Sequence, residues 1–103
     1  MEEGKKITKD ELDNIISNSK GKIIIIDFAA EWCGPCRMIG PVLDKLAEEN
    51  PNIQVIKVNV DENSDAAVEY GVRSIPAVFI YKEGVQTDKF VGVKSKEEII
   101  KLL

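Results

Sequence analysis

The chain has 103 residues, two cysteines and no histidine, with 14 basic against 18 acidic side chains and a net charge of −4. This length fits one domain, residues 1–103, around a single core. A composition 44% hydrophobic and 31% charged is that of a globular protein rather than a disordered one. Without histidine there is no imidazole base, no Ser-His-Asp or Cys-His arrangement and no usual zinc ligand set. The acidic balance speaks against nucleic acid as a partner. No apolar run nears the length of a membrane span, the longest clean one being residues 23–26. Met1 to Lys6 lead into a polar stretch without the apolar core or small-residue cleavage site of a leader. The expected compartment is therefore the cytosol.

In chain order, Thr8 and Glu11 read as a capping box, with Ile7 and Leu12 placed as a hydrophobic staple. Leu12, Ile15, Ile16 and Ser19 give a helical stripe, which Lys20-Gly21 should end. Residues 23–29 form a β-branched run without alternation, the pattern of a central strand covered on both faces. After Trp32-Cys33-Gly34-Pro35-Cys36 comes a second helical stripe of Met38, Ile39, Val42, Leu43, Leu46 and Ala47. Pro35 suits its first turn, Pro41 should kink it, and Asn50-Pro51 should close it. Residues 53–60 read as a second buried strand, and 61–70 as a short irregular helix ended by Gly71. Residues 77–82 and 88–91 read as two further strands about a Glu83-Gly84 turn. Ser95 and Glu98 make a second capping box before a terminal helix. The order α-β-α-β-α-β-β-α predicts an α/β fold: a central mixed sheet of parallel strands plus an antiparallel C-terminal hairpin, with helices on both faces.

Four readings compete for Cys33 and Cys36. As a structural disulfide, a four-residue loop removes only about 2 kcal/mol of unfolded-state entropy. A closed metal site needs about four ligands and only two thiolates are present. Plain packing fits poorly with an intervening Gly-Pro at a strand-to-helix corner. A redox dithiol fits best, because a cysteine at a helix N-terminus meets free backbone N–H groups and the positive end of the macrodipole. Residues three apart on a regular helix hold their Cβ atoms about 5–6 Å apart, whereas a disulfide wants about 3.8 Å. A distorted first turn at Gly34-Pro35 eases the closure. Asp27 interrupts an apolar strand, so its carboxyl is expected to be buried, a costly placement without a role. As a hypothesis, it deprotonates Cys36, directly or through water. Lys57, on the adjacent strand, is placed either beside Asp27 or as a snorkelling edge lysine.

The segment Asp27-Phe28-Ala29-Ala30-Glu31-Trp32-Cys33-Gly34-Pro35-Cys36-Arg37-Met38-Ile39-Gly40-Pro41 resembles the active-site segment of the thioredoxin family. The likeness continues through residues 57–61, residues 70–76, Gly84 and Val91-Gly92, in the family's order. It implies a thioredoxin fold and a protein-disulfide oxidoreductase with no cofactor beyond its own Cys33–Cys36 disulfide. In that role Cys33 is the exposed nucleophile, Cys36 the buried resolving thiol, and Pro76 a cis proline against the disulfide. Trp32, Gly34, Pro35, Ile75, Pro76 and Gly92 match the family's substrate-binding surface. The implied partners are disulfide-containing substrate proteins and a thioredoxin reductase-like enzyme, with the chain acting as a monomer. Ala29 stands where a second tryptophan is common, Ser74 where glycine is, and Ala77 where threonine is. Two other functions stay open: a binding module with secondary redox chemistry, and an oxidant or isomerase outside the cytosol. Intact cysteines with Asp27 favour the reductase over the first, and Gly-Pro favours it over the second.

Overall fold

The computed structural model describes residues 7–103, and the N-terminal stretch considered for a leader lies outside them. The elements run α1 (Lys9–Ser17), β1 (Ile23–Ala29), α2 (Gly34–Glu49), β2 (Ile53–Asn59), α3 (Ser64–Glu69), β3 (Ala77–Lys82), β4 (Val85–Val91) and α4 (Lys96–Ile100). The sheet order is β2-β1-β3-β4. β1 pairs in parallel with β2 and antiparallel with β3. The mixed sheet expected from the element order is present, and β1 is an inner strand, in keeping with an apolar run broken only by Asp27.

Alternation along β1 divides the interior in two. Ile24, Ile26 and Phe28 face α1 and α3, packing with Leu12, Ile16, Ala66 and Ala67. Ile25 faces α2 and α4, among Ile39, Leu43, Leu46 and Ile99. Both predicted capping boxes form, at Thr8/Glu11 and at Ser95/Glu98. Among the described residues no helix is long and apolar enough to cross a membrane.

Four boundaries or burials differ from the sequence reading. β2 is an edge strand, half-buried over Val55, Ile56 and Lys57 and exposed at Gln54, because it has a neighbour on one side only. β4 begins at Val85, not at 88. Glu83 and Gly84 both take positive φ (51° and 78°), so a two-residue turn starts the pairing at once with Lys82 opposite Val85. The polar run Gln86-Thr87-Asp88 hides this strand, whose register shifts near Ile80 and Tyr81. α1 stops at Ser17, and buried Ser19 donates its hydroxyl to the Ile16 carbonyl at 2.5 Å instead of extending the stripe. α3 spans only Ser64–Glu69. Its predicted first residues instead form a turn organised by Asn59, whose Oδ1 accepts from the backbone N–H of Asp61 (2.8 Å) and Glu62 (3.2 Å).

Candidate active site

The C-terminal end of β1 delivers the chain to the start of α2, and the two cysteines sit at that junction. Cys33 is the N-cap of α2, with extended backbone (φ −88°, ψ 112°), and Pro35 lies in the first turn. Because Cys33 is outside the helical spiral, the i,i+3 mismatch disappears. The Cα atoms are 5.3 Å apart and the two sulfurs form a disulfide, a separation within the normal range for that bond. Cys33 Sγ accepts the backbone N–H of Cys36 at 3.3 Å. The same N–H is placed to stabilise a thiolate once the bond opens, at the positive end of a sixteen-residue helix. Pro41 lies inside α2 without ending it. Lacking an N–H, it leaves the Arg37 carbonyl without its helical donor.

The expectation of an exposed Cys33 is not met. Cys33 is 5% exposed and Cys36 4%, because Ala29, Ala30, Val60 and Ile75 close over both sulfurs. Surroundings, rather than exposure, separate them. Cys33 Sγ lies 3.9 Å from the Ile75 carbonyl oxygen, whereas Cys36 lines a cleft of about 420 Å³ shared with Asp27, Glu31, Arg37, Asp44 and Lys57.

The rim is apolar. Trp32 is two-thirds exposed, which rules out a core aromatic, and its indole N–H donates to Asp61 Oδ2 at 2.8 Å. Asn59, by ordering the turn that carries Asp61, thus fixes the tryptophan beside Cys33. Gly34 and Pro35 are exposed, Ile75 and Gly92 are half-buried, and Pro76 is buried. The Ile75–Pro76 peptide is cis, as the resemblance implied. Gly92, at φ +97°, donates its N–H to the Pro76 carbonyl at 2.9 Å, tying the end of β4 to this loop. Ala29 and Ala77 are buried, while Ser74 is exposed.

Asp27 is 1% exposed, and its Oδ1 has no hydrogen-bond partner among the described residues. Burial pushes its carboxyl up to about 6, partly opposed by the charge of Lys57 and reinforced by that of Asp44. Lys57 stands opposite Asp27 in the parallel register. Its ammonium, however, pairs with Asp44 Oδ2 at 2.8 Å, so neither direct pairing with Asp27 nor plain snorkelling describes it. Sequence reading missed both Asp44 and Asn59. Asp44, an exposed acid on α2, carries no sequence signal that sets it apart.

The disulfide can take up two electrons, which the dithiol so formed can release, and among the described residues no group of His, Cys, Asp or Glu is placed to hold a metal ion. On a mixed sheet clothed by helices on both faces, this defines a class: the small α/β dithiol–disulfide oxidoreductases. The thioredoxin family profile matches residues 3–103. The chain is 41% identical over 91 residues to a thioredoxin of Chlamydia trachomatis, covering 88% of this chain and 89% of that one. To a thioredoxin of Chlamydia pneumoniae it is 41% identical over 99 residues, covering 96% and 94%. The structure matches that of Fasciola hepatica thioredoxin with a TM-score of 0.82 at 38% identity, over 92% of this chain and 91% of that one. The chain belongs to the thioredoxin family. Members are disulfide oxidoreductases that act on disulfide substrates, are reduced by thioredoxin reductase, and need no cofactor beyond the cysteine pair.

Proposed function

We propose that residues 1–103 act as one domain, a monomeric cytosolic protein-disulfide reductase in which Cys33 is the nucleophile, Cys36 the resolving thiol and Asp27 the proton acceptor. The observation that carries this reading is the asymmetry of the pair: Cys33 caps a helix at the apolar rim, whereas Cys36 lines the cleft that holds a buried carboxyl. In the reduced protein the Cys33 thiolate attacks one sulfur of a substrate disulfide. A Cys33–substrate bond forms, the substrate S–S bond breaks, and the first substrate thiolate leaves and takes a proton. Cys36 then gives its proton to Asp27, directly or through water in the cleft, and attacks Cys33 Sγ. The Cys33–Cys36 bond forms, the mixed disulfide breaks and the second thiolate leaves. Two electrons have passed to the substrate, and a thioredoxin reductase-like enzyme returns them.

Trp32, Gly34, Pro35, Ile75, Pro76 and Gly92 form the substrate-binding surface. Pro76 contributes from beneath, since it is buried and its carbonyl is already engaged by Gly92. A substrate segment lying extended across Ile75 reaches Cys33 with its disulfide. Lys57 modulates the charge on Asp27 from the neighbouring strand.

The test is insulin reduction driven by dithiothreitol, followed by turbidity. The native chain accelerates precipitation and Cys33→Ser falls to the uncatalysed rate; no acceleration by the native chain overturns the reading. For the proton acceptor, single-turnover resolution of a mixed disulfide is followed from pH 5 to 9. Asp27→Asn slows it and removes the inflection near pH 6, and an unchanged profile refutes that role.

A further inference from the structure

Lys57 faces two carboxylates and binds only one. Its side chain is 19% exposed and pairs with Asp44, which is 59% exposed on α2, at 2.8 Å. Asp27, its cross-strand partner, lies at the closed side of the same cleft with Oδ1 unpartnered among the described residues. Gly40 of α2 lines the same cleft, and a Cβ there would stand in ordinary contact with Lys57 Nζ, at 3.7 Å, so the ammonium lies against α2 on its way to Asp44.

We propose that Asp44 is a positioning residue that draws the Lys57 ammonium to the solvent edge of the cleft and so keeps the buried Asp27 carboxyl from acquiring a bound cation. An opposite charge within about 4–6 Å favours the ionised carboxyl strongly, and the benefit falls as the charge withdraws. Held by Asp44, Lys57 gives Asp27 only part of that benefit. The other charged or titratable groups facing the cleft are Glu31, Arg37 and, in the reduced protein, Cys36. From β3 the partner of Asp27 is the apolar Val78. The consequence for exchange rests on Asp27 being the proton acceptor: Asp44 keeps that base protonatable near the working pH instead of locking it as a salt bridge.

The test follows the Asp27 carboxyl by carbon-detected NMR titration of the disulfide form, where neither cysteine titrates. Asp44→Asn lowers its midpoint by about one pH unit, and Asp44→Glu, which keeps the pairing charge, restores it. Asp44 also repels Asp27 directly, and a double-mutant cycle separates the two routes. In a Lys57→Gln background, Asp44→Asn lowers the midpoint by less than half as much. No fall in Asp44→Asn, or an equal fall without Lys57, overturns the proposal. The resolving step of reduced Asp44→Asn is then followed against pH, and its inflection moves down with the carboxyl. A carboxyl that moves while the kinetics do not supports the placement of Lys57 by Asp44 and refutes Asp27 as the proton acceptor.

Discussion

Asp27 and Phe28 are neighbours on β1, both almost fully buried, and they face opposite sides of the sheet. Phe28 completes an aromatic triangle. Its ring centroid is 5.5 Å from those of Tyr70 and Phe79, the latter edge-on, and Tyr70 and Phe79 meet edge-on at 5.6 Å. On that side the ring packs within a cluster of buried apolar side chains. On the other side Asp27 puts a carboxyl into a cleft with an unpartnered oxygen. One residue apart, the same strand serves cohesion on one face and chemistry on the other. The face that gives up stability is the one that carries Cys36.

The largest effect separating the two faces is the loss of the Phe28 ring. Phe28→Ala should cost about 3–5 kcal/mol, the range for a buried aromatic truncated to alanine, with the edge-on contacts adding to simple burial. Urea unfolding at pH 7 measures it. A loss below about 2 kcal/mol would break the comparison, since this face would then not be the one that holds the fold together.

Asp27→Asn should act in the opposite direction, and its sign depends on pH. The carboxyl sits near 3.8 in an unfolded chain and is raised to about 6 in the fold. Below pH 4 both states are protonated and the native chain pays no charge penalty. Between pH 4 and 6 the unfolded state ionises more readily, so the stability of the native chain falls as pH rises. Above pH 6 the loss is complete. At about 1.4 kcal/mol per pH unit, it amounts to about 3 kcal/mol. Measured against the native chain in the disulfide form, Asp27→Asn should gain that much on going from pH 4 to pH 8. A stability difference that stays flat with pH would mean the carboxyl is not strained by burial, and the contrast with Phe28 would collapse.

How far this contrast is legible in the sequence depends on what sets each contact. The alternation that sends Ile24, Ile26 and Phe28 one way and Asp27 the other is local, so a single polar residue in an apolar run is enough to suggest a buried carboxyl. The helix-cap position of Cys33 is local as well, signalled by Gly-Pro after a strand. What sequence reading misses arises from elements far apart in the chain. The burial of Cys33 draws on Val60 and on Ile75, 42 residues on, as well as on the nearby Ala29 and Ala30. The ion pair that takes Lys57 from Asp27 needs the β1–β2 register and the placement of α2 together, and Asp44 itself looks like any exposed helical acid. The cis peptide before Pro76 was legible only through the family resemblance, because most X–Pro bonds are trans. The early start of β4 was hidden because an edge strand tolerates a polar sequence that an inner strand would not.

The smallest predicted effect asks whether the two faces differ in anything besides buried polarity. Each carries one short helix opened by a capping box. On the Phe28 side Thr8 Oγ1 accepts from the Glu11 backbone N–H at 3.1 Å, and the Glu11 carboxylate accepts from the Thr8 N–H at 3.2 Å. On the Asp27 side the corresponding pair is Ser95 and Glu98, at 3.1 and 3.0 Å. The first helix anchors Leu12 and Ile16, and the second anchors Ile99, which is fully buried. Replacing a capping threonine or serine by alanine costs about 1 kcal/mol when the helix remains docked by its apolar side chains. Thr8→Ala and Ser95→Ala should therefore lower stability equally, each by about 1 kcal/mol in urea at pH 7. Equal losses would place the difference between the faces in the cleft alone. A loss well above 2 kcal/mol for Ser95→Ala would instead show that the five-residue α4, with a single deeply buried anchor, depends on its cap to stay docked. The active-site face would then be weaker in its helices as well as in its buried carboxyl.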